Sequence, residues 1–513
     1  MVREIKPAAA EKKLHCQANQ STITLKTKDS GPNQFAKDAG DFVKQIVFQS
    51  KRGAKYSYND CSGMIFPLQS GAIEKIQSES GNYLGISAAK SECAPKTVTP
   101  AEVQSFVEKN SFNQLILEMT ACCNLQCKYC IYGEHYPSTR TSSSRNMDFS
   151  TAKAAVNYYM ANFKRKYNRN PNASPSVGFY GGEPLLQFEM IRQVVEYIEE
   201  NFSFYPDIKF TITTNGLLLS DSVRRYLVAH DFAVIVSLDG YKENHDRNRV
   251  TPTGATSFDK VYANIKAFQH EFPDYGKFGI SACYDYRTDL LQMDDFFRKE
   301  NLFIIKLSQV SGTNTTYYDD FTEKEKRRHF DQYEILKNRF FDTVKNGRLP
   351  HNSLLFPLFG TAYAEFAFHP MIREKRPTFS PYTAACIPGD KIYVTADGNF
   401  HMCERVPHDM PIGSIASGLD YTTIATLISR YNERVCDDCP SCPMTKVCGL
   451  CYAVVRSGGD FVCTEGYCNA AGIRTEKMLT DMVELLEVNP ELLEDVTVDY
   501  YRTVIEKAGH IVE

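Results

Sequence analysis

The sequence predicts an α/β protein whose central unit is an open barrel of parallel strands. Short apolar or β-branched segments alternate six times with longer segments of helical periodicity, from residue 113 to about 310. Such alternation gives a parallel sheet with right-handed crossovers, and six repeats suffice for a partial (β/α)6 barrel. A weakly patterned N-terminal segment precedes these repeats, and a cysteine-rich segment follows them. We therefore predict a barrel between two smaller units.

The elements of this barrel are short and regularly spaced. The predicted strands are 114–120, 176–181, 209–214, 233–238, 277–284 and 303–310. The predicted helices are 150–164, 186–201, 221–230, 258–271 and 289–299. We expect Ser150 to be the N-cap of the first of these helices. A polar stretch from about 311 to 350 and an apolar helix near 354–368 follow, and an amphipathic helix is predicted beyond about 470.

Length, charge and cysteine content restrict the class of protein. The 513 residues are enough for two or three domains, with 43% hydrophobic and 23% charged residues as in ordinary globular proteins. A net charge of −4 argues against a dedicated nucleic-acid or acidic-membrane surface. No apolar run approaches a membrane span, and the start MVREIKPAAAEKK lacks the apolar core of a secretory signal. We therefore expect a cytoplasmic protein whose 17 cysteines serve largely as metal ligands rather than in disulfides.

Residues 1–110 predict a small α+β unit in front of the barrel. The apolar segments 56–58 and 64–66 flank a turn-rich stretch and predict a β-hairpin. Helical stretches on either side of position 95 complete the unit. From the residues alone, its simplest role is that of a capping subdomain.

The first strand is followed by a loop in which Cys123, Cys127 and Cys130 stand at the spacing C-x3-C-x2-C. A 4Fe–4S cluster takes four soft sulfur ligands, so three in one loop leave one iron free to bind another group. A structural zinc site would need a second C-x2-C pair or a Cys/His mixture nearby. The nearest downstream histidine, His135, has no companion at ligand spacing. The spacing favours an iron–sulfur cluster, while zinc and inert buried thiols remain alternatives.

Turn-forming residues follow the next three strands, at the end of the barrel where active sites collect in TIM-like folds. The three segments are Gly181-Gly182-Glu183-Pro184, Thr213-Thr214-Asn215-Gly216 and Ser237-Leu238-Asp239-Gly240. Each of them alone is ordinary turn chemistry. On consecutive strand ends of one barrel, they indicate the rim of a single site.

The cysteine loop and these rim segments together resemble the radical S-adenosylmethionine (SAM) enzymes. In that family the free iron chelates SAM, and the reduced cluster cleaves SAM to a 5′-deoxyadenosyl radical that abstracts a hydrogen atom from the substrate. The resemblance implies SAM contacts from Tyr129 (adenine), Gly181, Gly182, Glu183 and Pro184 (amino group), Thr214 and Asn215 (ribose), and Ser237 with Arg249 (carboxylate). The alternative for Arg249 is a solvent-exposed charge in a polar run. The sequence identifies no catalytic acid or base. Tyr284 and Asp285 at the end of the fifth strand and Ser308 on the sixth are candidates by their position only.

The cysteines return in the C-terminal half, where local C-x2-C pairs favour a zinc ribbon. Their order, C-x11-G-x4-C and then C-x2-C-x5-C with further cysteines, resembles the SPASM extension of radical SAM enzymes. That extension normally carries two auxiliary 4Fe–4S clusters. The resemblance implies an outer set of ligands, Cys439, Cys442, Cys448 and Cys468, and an inner set, Cys386, Cys403 and Cys451. Cys448 and Cys451 are separated by two residues where the family usually has three, and the fourth inner ligand stays open between Cys436, Cys463 and a substrate thiolate.

These resemblances imply a domain plan and a function. The expected domains are a winged-helix-like unit for leader-peptide recognition (1–110), the radical SAM barrel (111–315), a bridge (316–380), the SPASM domain (381–472) and a helical tail (473–513). The expected activity is that of a radical SAM oxidoreductase that forms Cys thioether cross-links in a ribosomally made precursor peptide, as sactipeptide and ranthipeptide maturases do. Its cofactors would be SAM and three 4Fe–4S clusters, with a flavodoxin or ferredoxin as electron donor. The alternatives are a carbon–carbon cross-linking maturase, a sulfatase-activating formylglycine-generating enzyme and, from another class, a zinc-stabilised binding scaffold.

Overall fold

A computed structural model describes residues 45–60, 63–68, 97–136, 143–346, 349–368, 385–435, 439, 442–457, 460–463, 466–488 and 503. The N-terminal lead-in, the predicted helical stretch before position 95, Cys16, Cys61, Cys93 and Cys436 lie outside these residues. Among the described helices, none combines the length and the apolar character that crossing a bilayer requires.

Three short strands form an antiparallel N-terminal sheet in the order β1 (Gln45–Gln49), β2 (Lys55–Asn59) and β3 (Met64–Leu68). The alternation of aromatic and polar residues in β2 buries Tyr56 and Tyr58 against the core. Asn59 pairs with Met64 across the turn, so the predicted hairpin is confirmed. Helix α1 (Pro100–Asn110) follows and starts with a capping box of Thr99 and Glu102.

Six parallel strands form the barrel: β4 (Gln114–Thr120), β5 (Ser176–Gly181), β6 (Lys209–Thr214), β7 (Ala233–Ser237), β8 (Phe278–Tyr284) and β9 (Ile304–Gln309). They pair in chain order from β4 to β9. Their ends coincide with the predicted bounds or fall one residue inside them. Strand β4 is buried throughout, because helices cover one face of a parallel sheet and the barrel interior takes the other.

Helices on the outside connect these strands: α2 (Phe149–Arg169), α3 (Phe188–Asn201), α4 (Asp221–Ala229), α5 (Lys242–Asn248), α6 (Phe258–Glu271) and α7 (Leu290–Glu300). The predicted N-cap of α2 is wrong. Asp148 has the extended backbone of a cap, and its carboxylate accepts from the Thr151 N–H at 2.7 Å. Ser150 lies inside the helix and donates its hydroxyl to Asp148 at 2.7 Å. Helix α5 was not predicted, because seven residues are too few to establish a periodicity.

The polar stretch from about 311 to 350, for which no helix was predicted, contains α8 (Glu323–Asn346), a helix of 24 residues. It escapes prediction because its buried face mixes Leu336 and Phe340 with the polar residues His329, Gln332 and Lys337. The predicted apolar helix near 354–368 is confirmed as a π-helix (Phe356–Gly360) continued by α9 (Thr361–Phe368). The π-helix packs on β9, the last strand of the barrel.

The C-terminal half extends the barrel sheet. Strand β10 (Lys391–Val394) pairs in parallel with β4, and β11 (Asn399–His401), β12 (Gly413–Ser414) and β13 (Gly418–Leu419) follow antiparallel, giving ten strands. Helices α10 (Tyr421–Val435) and α11 (Tyr452–Val455), a small hairpin of β14 (Arg456–Ser457) and β15 (Asp460–Phe461), and α12 (Tyr467–Val488) complete the described chain. Helix α12 packs on β1, α8 and α9, which confirms the predicted amphipathic tail helix.

Candidate functional site

The cysteine loop, residues 121–130, is held between two neighbouring segments of the rim. The N–H of Gln126 donates to the carbonyl oxygen of Val250 at 2.7 Å. On the opposite side, the N–H of Glu183 donates to the carbonyl oxygen of Cys122 at 2.9 Å. Because backbone groups make these bonds, the position of the loop depends on the path of the chain rather than on a particular side chain.

Gly181, the last residue of β5, and Gly182 after it leave room for the close packing of β5 against the end of β4 and the cysteine loop. A Cβ at Gly181 would lie 2.3 Å from the carbonyl oxygen of Thr120, and one at Gly182 would lie 2.2 Å from that of Cys122. Gly181 also has a φ of +132°, which side chains rarely allow. Both residues therefore permit the close approach of β5 to the cysteine loop, whatever they do for a cofactor.

The three thiols of the loop fit an iron–sulfur cluster. Asn215 donates its side-chain N–H to the Cys123 sulfur at 3.7 Å, and Arg249 Nη1 lies 4.0 Å from the Cys127 sulfur. Burial raises the pKa of Cys123 to about 11 and that of Cys127 to about 12, and the neighbouring Cys130 adds to both shifts. N–H donors at sulfur are characteristic of iron–sulfur sites, and bound iron would compensate the buried thiolate charge.

Among the described residues, no three His, Cys, Asp or Glu side chains converge as they would around a single metal ion. A single zinc ion gathers its sulfur ligands at one point, whereas a four-iron cluster takes one thiolate on each iron.

Glu183 joins the ends of β5 and β6. Its carboxylate accepts from Thr214 Oγ1 and the Asn215 N–H, both at 2.7 Å, and from the Leu185 N–H at 3.1 Å. Burial raises the pKa of Glu183 to about 7 against the opposing effect of these bonds. Three of roughly four acceptor positions are used within the protein, which leaves one for a bound ammonium group.

Asp239 is the centre of a second buried group and was not predicted as a site residue. Its Oδ2 accepts from Arg249 Nε at 2.9 Å and from the Tyr129 hydroxyl, while Oδ1 accepts from the Cys283 N–H at 2.9 Å. Arg249 is 8% exposed, so the alternative of a solvated surface charge is wrong. Burial lowers the pKa of Arg249, but the Asp239 carboxylate together with Tyr129, Cys127 and Cys283 outweighs burial and holds that pKa above its ordinary value.

Tyr129 and Ser237, the other predicted SAM contacts, lie next to this group. The Arg249 guanidinium sits 5.4 Å from the centre of the Tyr129 ring, a cation–π contact. Ser237 is the last residue of β7 and is half-buried. The tertiary structure thus collects the predicted residues of four strand ends around the cysteine loop.

A buried histidine, His245, is hydrogen-bonded to the backbone of Asp239 and, through Ser257, to that of Arg249. His245 Nδ1 accepts from the Asp239 N–H at 3.3 Å, so its Nε2 carries the proton and donates to Ser257 Oγ at 3.0 Å. Ser257 Oγ in turn donates to the Arg249 carbonyl oxygen at 2.6 Å. Burial lowers the pKa of His245 to about 4, so the ring is neutral at physiological pH.

Three residues, Tyr284, Asp285 and Ser308, were candidates for acid–base chemistry by position. Asp285 and Tyr284 make contacts within the protein. The Arg247 guanidinium binds both carboxylate oxygens of Asp285 at 2.7 and 2.9 Å, and the Tyr317 hydroxyl donates to it at 2.5 Å. Asp285 therefore positions the segment that leads to Arg249. Tyr284 stacks on a histidine ring of α8, and Ser308 is half-buried on β9.

A second unpredicted acid, Glu118, lies in the middle of β4. It accepts from the hydroxyls of Tyr132 at 3.0 Å and Tyr393 at 2.8 Å and from the Ala396 N–H at 3.0 Å, with His408 Nε2 at 3.6 Å. Burial raises the pKa of Glu118, but these partners outweigh it and lower the pKa to about 2. Glu118 thus links Tyr132, just after the cysteine loop, to the C-terminal strands.

Three charged side chains, Lys306, Lys391 and Glu404, interact near the predicted inner ligand Cys403. Burial lowers the pKa of Lys306 on β9, and the nearby Glu404 opposes that shift. Burial raises the pKa of Glu404, but Lys391, 3.9 Å away, and Lys306 outweigh it and lower the pKa. Glu404 Oε2 is buried without a hydrogen-bond partner, in contrast to Glu118 and Asp239. This oxygen borders the inner cysteine Cys403.

Several of the C-terminal thiols lie near one another, and their assignment to an outer and an inner set of ligands stays a prediction. Burial raises the pKa of Cys442 to about 12 and of Cys448 to about 11, with added repulsion from Cys439 at both and from Cys468 at Cys448. Burial, Glu404 and the neighbouring Cys451 raise the pKa of Cys403 to about 11, and Cys386 is exposed. Burial raises the pKa of Cys463, a candidate fourth inner ligand, to about 11, and the thiols of Cys468, Cys439 and Cys448, all predicted outer ligands, lie near enough to add to this shift.

Residues 117–285 match the model of the radical SAM superfamily. The chain contains a radical SAM domain. Proteins of this superfamily are enzymes that use SAM and a 4Fe–4S cluster, and residues 117–285 of this chain are a domain of that kind. The matched range coincides with the barrel from β4 to β8 and includes the cysteine loop, the rim segments, Asp239 and Arg249.

Curated relatives match parts of the chain. A cysteine-type anaerobic sulfatase-maturating enzyme of Clostridium novyi is 25% identical over 239 residues, 45% of this chain and 59% of the relative. The radical SAM cyclopropyl synthase TigE of Paramaledivibacter caminithermalis is 26% identical over 202 residues, 39% of this chain and 41% of the relative. The matched region thus spans less than two thirds of either relative.

Among solved structures, native anSMEcpe with bound AdoMet superimposes with a TM-score of 0.55 at 18% identity. The match covers 73% of this chain and 98% of that one. It confirms the partial barrel of the radical SAM domain.

The sequence predicted the cysteine loop and the rim segments but not the roles of Glu118 and Asp239, the buried acids that hold them. The signal for Glu118 was present, since a single carboxylate interrupts the apolar run of β4. Asp239 stood within a rim segment, where a strand-to-helix turn explained it equally well. Asp285 was noticed by position, but its guanidinium partner could not be read from spacing.

Proposed function

We propose that this radical SAM enzyme modifies a ribosomally synthesised precursor peptide, with Cys thioether formation as the reaction. One observation supports the radical SAM part most directly: the cysteine loop, Glu183 and the Asp239–Arg249 pair meet at the carboxyl rim of one parallel barrel. The three thiols suit a 4Fe–4S cluster. The Glu183 carboxylate and the buried Arg249 guanidinium suit the amino group and the carboxylate of an amino acid.

In this proposal Cys123, Cys127 and Cys130 hold the SAM-binding cluster, which supplies the one-electron reduction that starts the radical chemistry. Glu183 receives the amino group of SAM, with Gly181, Gly182 and Pro184 shaping the loop. Arg249 and Ser237 receive its carboxylate, and Thr214 and Asn215 face the ribose. Tyr129 holds its hydroxyl on Asp239 and keeps the Arg249 guanidinium oriented toward the site.

The C-terminal thiols would hold two auxiliary clusters, an outer one on Cys439, Cys442, Cys448 and Cys468 and an inner one on Cys386, Cys403 and Cys451. The location of Cys463 near the predicted outer ligands leaves the fourth inner position to Cys436 or to a thiolate of the substrate. A cysteine of a peptide is a soft ligand for such an open position, which suits thioether chemistry. A flavodoxin- or ferredoxin-type donor would supply electrons.

A peptide substrate is supported by the proteins to which this chain is similar. One of them is by name a sulfatase-maturating enzyme, and native anSMEcpe has been solved with bound AdoMet and the Cp18Cys peptide. In this chain the N-terminal unit would recognise a leader peptide. Formylglycine generation is the second candidate, because sulfatase-maturating enzymes are among the relatives.

Mass spectrometry separates the two candidates. The reconstituted enzyme is incubated with SAM, a reductant and cysteine-containing precursor peptides encoded near its gene, with a sulfatase-derived peptide as the comparison. Thioether formation removes two hydrogens, retains the sulfur and blocks alkylation of the cysteine. Formylglycine formation removes the sulfur and creates an aldehyde. Turnover of the sulfatase peptide alone would replace the thioether proposal with the second candidate.

Metal content tests the cluster assignments and the zinc-stabilised scaffold together. Three clusters predict ~12 iron per chain, and a Cys123/Cys127/Cys130→Ala variant should hold ~8, since each cube contains four irons. A wild type with ~8 iron that falls to ~4 would remove one auxiliary cluster from the proposal. Stoichiometric zinc with little iron would exclude the radical mechanism and leave the scaffold.

A further inference from the structure

The residue that follows β2, Asp60, contacts the segment that carries the predicted outer ligands Cys442 and Cys448. Asp60, at the end of this strand, is buried and accepts from Thr445 Oγ1 at 2.5 Å and from the Lys446 N–H at 2.9 Å. The Tyr58 hydroxyl donates to the same carboxylate at 3.1 Å. Thr445 and Lys446 lie in the short helical turn that separates Cys442 from Cys448.

The same N-terminal sheet also contacts α12, the helix that carries Cys468. Helix α12 begins beside this cysteine, and its far end reaches the β1–β2 turn. There the Tyr56 hydroxyl donates to Glu487 at 2.8 Å, and the Lys51 ammonium lies 3.1 Å from Glu484. Both segments that carry outer ligands are thus fixed to one small sheet.

We propose that the N-terminal sheet and the outer auxiliary cluster stabilise each other, with Asp60 as the positioning residue for the loop that holds Cys442 and Cys448. The proposal rests on the outer cluster assignment made under the proposed function. Within this turn, the Val447 N–H donates to the Met444 carbonyl oxygen, which is a local hydrogen bond. The two hydrogen bonds to Asp60 instead join residues that are 385 and 386 positions apart in the chain.

A physical consequence follows from the buried carboxylate. Without Asp60, the Lys446 N–H and two hydroxyls lose a buried acceptor, and the loop between Cys442 and Cys448 is no longer held to the sheet. Retention of a cluster depends on ligands that stay in place, so loss of this support should accelerate its loss to a chelator. Because the coupling free energy between two sites is reciprocal, loss of the cluster should also destabilise the sheet.

The test uses the full-length reconstituted protein and two measurements. In Asp60→Ala, four of the ~12 irons should leave to a chelator about tenfold faster than in the wild type, with an altered electron paramagnetic resonance signal of one auxiliary cluster. In Cys448→Ala, the amides of residues 55–60 should exchange hydrogen about tenfold faster than in the wild type. Thr445→Val removes one bond only and should give a smaller change of the same kind.

Asp274→Ala, which removes an exposed carboxylate between α6 and β8, outside the segments that carry the predicted outer ligands, is the matched control and should match the wild type. In a Cys448→Ala background, Asp60→Ala should cause little further loosening of residues 55–60. Equal iron release from Asp60→Ala and Asp274→Ala, or unchanged exchange in Cys448→Ala, would overturn the coupling. A wild type with ~8 iron whose missing cluster is the outer one would overturn the ligand assignment itself, which separates the two failures. If Asp60→Ala fails to fold, Thr445→Val decides between the same outcomes.

Discussion

The barrel rim and the C-terminal cysteine region hold their candidate ligands in different ways. At the rim, buried acids bind donors from neighbouring strand ends, as Glu183 does with Thr214 and Asp239 with Arg249. In the cysteine region, the turns between ligands are short, and support comes from outside them, through Asp60 and through Tyr431, whose hydroxyl donates to the Leu450 oxygen at 3.2 Å.

This difference suggests that the rim is organised before any cofactor binds, whereas the C-terminal region depends on its metal. A preorganised site loses little entropy when SAM binds. A region whose ligands stand on separate turns gains part of its folding free energy from the cluster itself. Four experiments test this contrast, from the largest expected effect to the smallest.

Removal of iron should separate the two regions most clearly. In the metal-free protein, amides of residues 442–456 should exchange at rates within about tenfold of an unfolded chain, while those of β4 to β8 stay protected. Hydrogen exchange followed by mass spectrometry measures both in one sample. Equal protection of the two regions without iron would show that the C-terminal region also folds without its clusters.

Asp239→Asn should cost about 3–5 kcal/mol of unfolding free energy, because it leaves the Arg249 guanidinium buried without its counter-charge. SAM binding should weaken as the guanidinium moves. The matched control is Asp259→Asn, which breaks the exposed pair with Lys242 at 2.5 Å and should cost less than about 1 kcal/mol. Urea unfolding of the three proteins checks the difference, and equal losses in the two variants would contradict a buried pair.

Stability should fall as the pH is lowered, in part through His245. The ring has an ordinary pKa of 6.5 in the unfolded chain and about 4 in the folded protein, so the unfolded state takes up the proton first. The contribution of His245 is present above pH 6.5 and should decrease by about 2 kcal/mol on going to pH 5. In His245→Asn, whose side-chain oxygen can replace Nδ1 as acceptor, the pH dependence between 7 and 5 should be flatter. Parallel curves for the two proteins would exclude His245 as the source.

Gly182→Ala should cost about 1–3 kcal/mol and displace the cysteine loop, because the added Cβ would lie 2.2 Å from the Cys122 oxygen. Gly276→Ala is the control, since a Cβ there meets nothing within 4 Å. Thermal unfolding measures the cost, and iron content reports on the loop. If Gly182→Ala behaves like Gly276→Ala, the tight packing of β5 against the loop is not as described.

The strands of the barrel could be predicted because their signal is local. Each parallel strand is a short β-branched or apolar run between turn residues, and β4 to β9 fall within one residue of the expected bounds. Helix α8 could not be predicted in this way, because polar residues such as Gln332 and Lys337 occupy its buried face. Its stability comes from partners, as in the ion pair of Lys337 with Asp481 at 2.5 Å.

The sequence by itself determined the six strand–helix repeats, the C-x3-C-x2-C loop and the order of the later cysteines. These features depend on residue types at fixed separations along the chain. The tertiary structure decided that Asp239 pairs with Arg249, that Cys463 lies near the predicted outer ligands, that β10 extends the barrel sheet at β4, and that Asp60 supports the turn at Thr445. The last two contacts join segments hundreds of residues apart. Such partners are selected by burial and by the need to satisfy buried polar groups, and residue spacing carries no record of that selection.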